Sequence, residues 1–86
     1  MNMNICKPGD LLLSDLGGKF KYICKNESSP YPHKVQHMDG EFKGSFGTRL
    51  DDGRVAENSL PTDNNIVGFY VSKKKRNTLT NQTTNP

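Results

Sequence analysis

Two Asp-Gly pairs, Asp39-Gly40 and Asp52-Gly53, stand thirteen residues apart in a stretch of alternating apolar and polar residues. Glycine reaches positive φ at no steric cost, which a tight turn between antiparallel strands demands. The span from Tyr31 to Arg54 therefore predicts strand, turn, strand, turn, strand. This is a β-meander, and it constrains the fold more than any other part of the chain.

The rest of the sequence agrees. Lys7-Pro8-Gly9-Asp10 predicts a turn, and Leu11-Leu12-Leu13 a short buried strand. Phe20, Tyr22 and Cys24 alternate with Lys19, Lys21, Ile23 and Lys25, a period of two with an apolar face and a lysine face. Ile23 interrupts the polar face and marks a bulge or a strand-end contact. In the next strand Val35 shares a face with His33 or His37, and Lys34, Gln36 and Met38 share the other. Phe42, Gly44 and Phe46 line one face of a further strand, with Gly44 and Gly47 marking a sharp bend. Arg54 to Ser59 reads as a short edge strand. Ile66 to Val71 is rich in β-formers. No helical periodicity appears. The expected architecture is all-β, a small barrel of five or six strands.

Pro8-Gly9-Asp10, Tyr31-Pro32, Val35, Asp39-Gly40, Phe46 and Asp52-Gly53-Arg54 stand in the order found in small SH3-like barrel proteins of bacteriophages and prophages, which this chain resembles over residues 7 to 70. It departs from that pattern at Met38, where an aromatic is usual, and in the strand holding Gly44 and Gly47. The resemblance implies a barrel with a binding surface in its loops or on an open sheet edge. With the near-neutral body and the rigid Pro30-Tyr31-Pro32 loop, the expectation is a phage-encoded protein that docks on a host or phage protein and modulates it, with inhibition of a host protein the expected outcome.

Eighty-six residues make one domain with a thin core, and apolar residues are only 31% of the chain. The domain is expected over residues 1–71. Residues 72–86, with Leu79 as their one large apolar side chain, are expected to form a flexible polar tail. The charge is uneven. Residues 1–71 hold eight Lys/Arg against nine Asp/Glu, and Lys73, Lys74, Lys75 and Arg76 bring the whole chain to +3. The basic balance thus belongs to the tail and not to the domain. As a nucleic-acid site that run lacks an interleaved aromatic for stacking. Its default reading is a solvated tail.

No catalytic signature emerges. Asp51 and Asp52 precede Gly53, where Asp serves the turn. A Cys-His nucleophile pair would lack an orienting third group. Cys6 and Cys24 form no Cys-x-x-Cys knuckle, and His33 and His37 on one strand would stand about 13 Å apart, too far to share a metal. The expectation is a non-enzymatic chain with no cofactor and no metal, two core thiols and two surface or half-buried histidines. Met1 to Cys6 lacks the apolar core of a secretory signal, and no run is long enough to span a bilayer. A cytoplasmic protein with reduced thiols is the corresponding expectation, with no membrane partner.

Function is thus a choice among binding roles. The first is docking on a protein through Tyr31, Lys34, Lys19, Lys21, Lys25 and Arg54. Pro30 and Pro32 hold Tyr31 extended, so its ring is either an exposed anchor or a plug over the barrel end. The alternative is a nucleic-acid-binding accessory protein that uses the lysine strand face with Lys73, Lys74, Lys75 and Arg76.

Overall fold

A computed structural model describes residues 1–71. The expected tail, 72–86, with Lys73, Lys74, Lys75 and Arg76, lies outside the described residues.

The fold is all-β. Five strands form one antiparallel sheet: β1 (Leu11–Ser14), β2 (Lys19–Lys25), β3 (His33–His37), β4 (Phe46–Arg49) and β5 (Ile66–Phe69), in the order β4-β3-β2-β1-β5. The first four strands form an antiparallel meander, and β3 and β4 are the first two of the three strands expected over Tyr31 to Arg54. β5 then crosses back to pair with β1.

Register decides which side chains meet. Leu12, Phe20 and His37 oppose one another across β1, β2 and β3, as Tyr22, Val35 and Gly47 do across β2, β3 and β4. Opposed residues share a face. This inner face carries the core of Leu12, Phe20, Tyr22, Val35 and Ile66. A one-turn 3-10 helix, Met3–Ile5, lays the fully buried Met3 against it. The residues before the Lys7-Pro8 turn thus contribute to the core. Each such side chain contributes roughly 1.5–3 kcal/mol on burial, which matters in so small a core.

Among the described residues no ladder joins the edge strands β4 and β5. The loop between them bridges the gap instead. Ile66 N–H donates to the Gly53 carbonyl at 2.8 Å, and Leu50 N–H donates to the Arg54 carbonyl at 2.9 Å. Arg49, buried on the inner face, donates from Nε and Nη2 to the Asn64 carbonyl at 3.3 and 3.0 Å.

Both Asp-Gly pairs are turns, with Gly40 at φ 75° and Gly53 at φ 92°. Of the expected strands, the one holding Phe42 to Gly47 is shortened to β4, and the one over Arg54 to Ser59 is absent. Glu41 to Gly44 forms turns, which leaves Phe42 exposed, because backbone bonds such as Ser45 N–H to the Phe42 carbonyl hold the chain in turns. Arg54 to Ser59 follows bends and turns, since the Asn65 side chain takes the Val55 N–H that a ladder would need.

Candidate functional site

The interruption at Ile23 is a bulge. The β2–β3 register shifts between Tyr22 and Cys24, so that Cys24 opposes Lys34 and Lys25 opposes His33. An added residue moves everything beyond it to the opposite face. Cys24 is therefore exposed on the outer side and is not a core thiol. Lys25 leaves the lysine face for the side that carries His33. Cys6 does pack against the core, half-buried. Burial, then the charge of Asp10, pushes its thiol pKa up.

The candidate contact residues consequently fall into three places. Lys19, Lys21 and Lys34 stand on the outer face of the sheet. Tyr31 and Lys25 stand at the loop between β2 and β3. Arg54 turns to its own neighbours: Nε donates to the Asp52 carboxylate at 2.6 Å, and the guanidinium also donates to the Glu57 carbonyl. The Arg54 N–H, which donates to the same carboxylate, and then that ion pair hold the Asp52 pKa below the usual carboxylate range. Arg54 lines a separate open cleft with Met1, Asp15 and Pro61.

Tyr31 is 39% exposed, so it is not a buried plug. The Ser29 hydroxyl accepts from the Tyr31 N–H and donates to the Tyr31 carbonyl, both at 3.1 Å, which fixes the loop locally. A cleft of about 430 Å³ opens beside the ring, lined by Pro30, Tyr31, Leu50, Ala56, Glu57 and Asn58. A second, of about 280 Å³, shares Pro30 and Leu50 and adds Lys25, Glu27 and Asp51. The two clefts flank the Pro-Tyr-Pro segment. Their rim holds three carboxylates, Glu27, Asp51 and Glu57, and one lysine, Lys25, which lies 3.5 Å from Glu27.

The lysines of the outer face have aromatic neighbours. Lys34 Nζ lies 4.4 Å from the Phe46 ring centroid, and Lys19 Nζ lies 4.7 Å from that of Tyr70. None of the five strands contains an aspartate or a glutamate, so the nine carboxylates of the chain all sit outside them. The near-neutral sum over residues 1–71 hides this segregation of a basic sheet from acidic loops.

One polar chain was not expected. His33 is fully buried rather than on or near the surface. Its Nδ1 lies 2.8 Å from the Tyr22 hydroxyl and its Nε2 lies 2.7 Å from Asp51 Oδ1. The carboxylate can only accept, so Nε2 carries a proton, and in the neutral ring Nδ1 accepts from Tyr22. The order hydroxyl, imidazole, carboxylate is that of a proton relay. Here the hydroxyl belongs to a buried tyrosine whose pKa is raised, first by burial and then by nearby Cys6, Cys24 and Asp51. Such a hydroxyl is a weak nucleophile, and the chain satisfies polar groups inside a thin core. The sequence signal for it was the inward position His33 shares with Val35.

Among the described residues no cluster of three or more His, Cys, Asp or Glu is placed to hold a metal ion, and no helix is long and apolar enough to cross a membrane. No family model matches the chain, and no curated protein or solved structure matches it significantly.

Proposed function

We propose that the chain is a non-enzymatic module that docks on a protein through the Tyr31 loop and modulates it. The form implied by the resemblance to phage barrels is a phage-encoded protein that inhibits a host protein. The carrying observation is the half-exposed tyrosine held between two prolines, with one open cleft lined by its ring and a second lined by both prolines. A tyrosine in that setting offers large apolar area with little rotamer entropy to lose, which is what interface anchors do. The acidic rim of Glu27, Asp51 and Glu57 selects for a partner segment that carries an apolar side chain flanked by basic residues.

The test is capture from bacterial lysate by the full chain and by Tyr31→Ala, followed by titration of the purified captured protein. A partner bound by the native chain and weakened about 30-fold or more by Tyr31→Ala, the scale of an interface hot spot, supports the reading. Equal binding by both forms, or no saturable partner, overturns it.

A further inference from the structure

We infer that the outer face of the sheet is a second binding surface, and that it takes single-stranded nucleic acid. It is distinct from the Tyr31 clefts, and the inference does not rest on them.

The register composes this face. Leu11, Lys21, Gln36 and Phe46 form one row across β1 to β4, and Cys24, Lys34 and Thr48 form the next. Lys19 opposes Leu13 on the other side of the first row. Phe46 is 56% exposed, and other apolar side chains such as Phe42 and Leu16 are exposed too, but its ring stands in the row with Lys21 and within 5 Å of the Lys34 ammonium. No strand contributes a carboxylate to offset Lys19, Lys21 and Lys34. In sequence, Lys73 to Arg76 follow within six residues of Tyr70, the ring beneath Lys19.

Charge complementarity requires an anionic partner. The aromatic rings decide which one. Each ring has an ammonium within 5 Å of its centroid. A base stacked on Phe46 or Tyr70 therefore leaves its phosphate within reach of Lys34 or Lys19, the combination that single strands use. A duplex keeps its bases stacked inside and offers only phosphates. An acidic peptide would engage the lysines and leave the exposed Phe46 ring unstacked.

The experiment is an anisotropy titration of the full chain with labelled oligo-dT and oligo-rU of about a dozen nucleotides. A duplex of equal length and a poly-glutamate peptide are the competitors. Three phosphate contacts on a single strand predict affinity about 20-fold weaker at ~200 mM than at ~50 mM salt. Phe46→Ala is expected to weaken binding about tenfold with an unchanged far-UV circular dichroism spectrum. Lys21→Gln is expected to lower the salt slope by about 0.7. Tyr31→Ala is expected to change nothing, which separates this surface from the docking loop. The inference is overturned if single strands do not bind at the lower salt. It is equally overturned if Phe46→Ala and Lys21→Gln bind as the native chain does, because the basic run beyond Val71 would then carry the binding alone. Preference for the duplex or for poly-glutamate also overturns it.

Discussion

His33 Nε2 lies 2.7 Å from Asp51 Oδ1, and this contact joins a fully buried ring on β3 to a carboxylate in the turn after β4. The Asp51 side chain is 65% exposed, so the buried imidazole reaches solvent through one carboxylate. The turn containing Asp51 also receives the N-terminus, since Met3 N–H donates to the Asp51 carbonyl at 2.7 Å. One turn thus ties together β3, the loop after β4 and the first residues of the chain.

Replacing His33 by Leu leaves the buried Tyr22 hydroxyl without its partner. The expected loss is about 2–3 kcal/mol, from the unsatisfied hydroxyl and the imperfect shape match. Asp51→Asn keeps an acceptor for Nε2–H and is expected to cost about 1 kcal/mol or less. Urea unfolding of both variants checks this, and a smaller loss for His33→Leu than for Asp51→Asn would contradict the buried role.

Gly53 is required twice over. Its φ of 92° is unfavourable for any side chain, and an added Cβ would stand 2.2 Å from the Ile66 carbonyl oxygen that faces it. Relieving that clash requires Gly53 and Ile66 to move apart, which strains the Ile66 N–H to Gly53 carbonyl bond that links the loop to β5. Gly53→Ala is expected to lose about 3 kcal/mol or more, whereas Gly40→Ala, with open space around it, loses about 1–2 kcal/mol from φ alone. Thermal melts of the two variants test the ordering.

Stability is expected to fall on acidification below about pH 6.5. Burial against Phe20, whose ring centroid is 4.4 Å away, lowers the His37 pKa, and Arg49 lowers it further against an opposing effect of Asp39. The unfolded histidine then takes up a proton at a pH where the folded one does not, so acid favours unfolding. Asp52 adds a second loss at lower pH: its depressed pKa gives stability above about pH 4 that disappears as it protonates. Chemical denaturation from pH 7.5 to 4 measures the slope. In His37→Gln the first decline should flatten and the second persist.

Tyr31→Ala is expected to cost under about 1 kcal/mol, because much of the ring already faces solvent. A loss of 2–3 kcal/mol, the scale of core truncation, would show that the ring supports the fold rather than a partner. Equilibrium unfolding decides between them.

The strands β1, β2, β3 and β5 were legible because their alternation and turn residues are local signals. The Ile23 interruption was legible too, and the register shift sits beside it. Its consequence was not. The alternation of β2 put Cys24 on the core face and Lys25 among the outer lysines, but one extra residue exchanges the faces of everything after it. The turns at Glu41 to Gly44 escaped notice because Phe42 and Phe46 mimic strand alternation while the backbone bonds of residues 40–45 close on themselves.

The sequence by itself determined the all-β class and the pairing of β3 with β4 across the Asp39-Gly40 turn, because these follow from spacing a few residues apart. Only the tertiary structure decided which charges share a surface. Net charge over residues 1–71 is a sum without positions, and the register of β2, β3 and β4 is what gathers Lys19, Lys21, Lys34 and Phe46 on one face, while Tyr70, bonded to Leu11, arrives from the far end of the domain. The burial of His33 has the same origin. Its inward direction is a local property of β3, but its partners Tyr22 and Asp51 come from other parts of the chain, and only their arrival makes a buried imidazole tolerable.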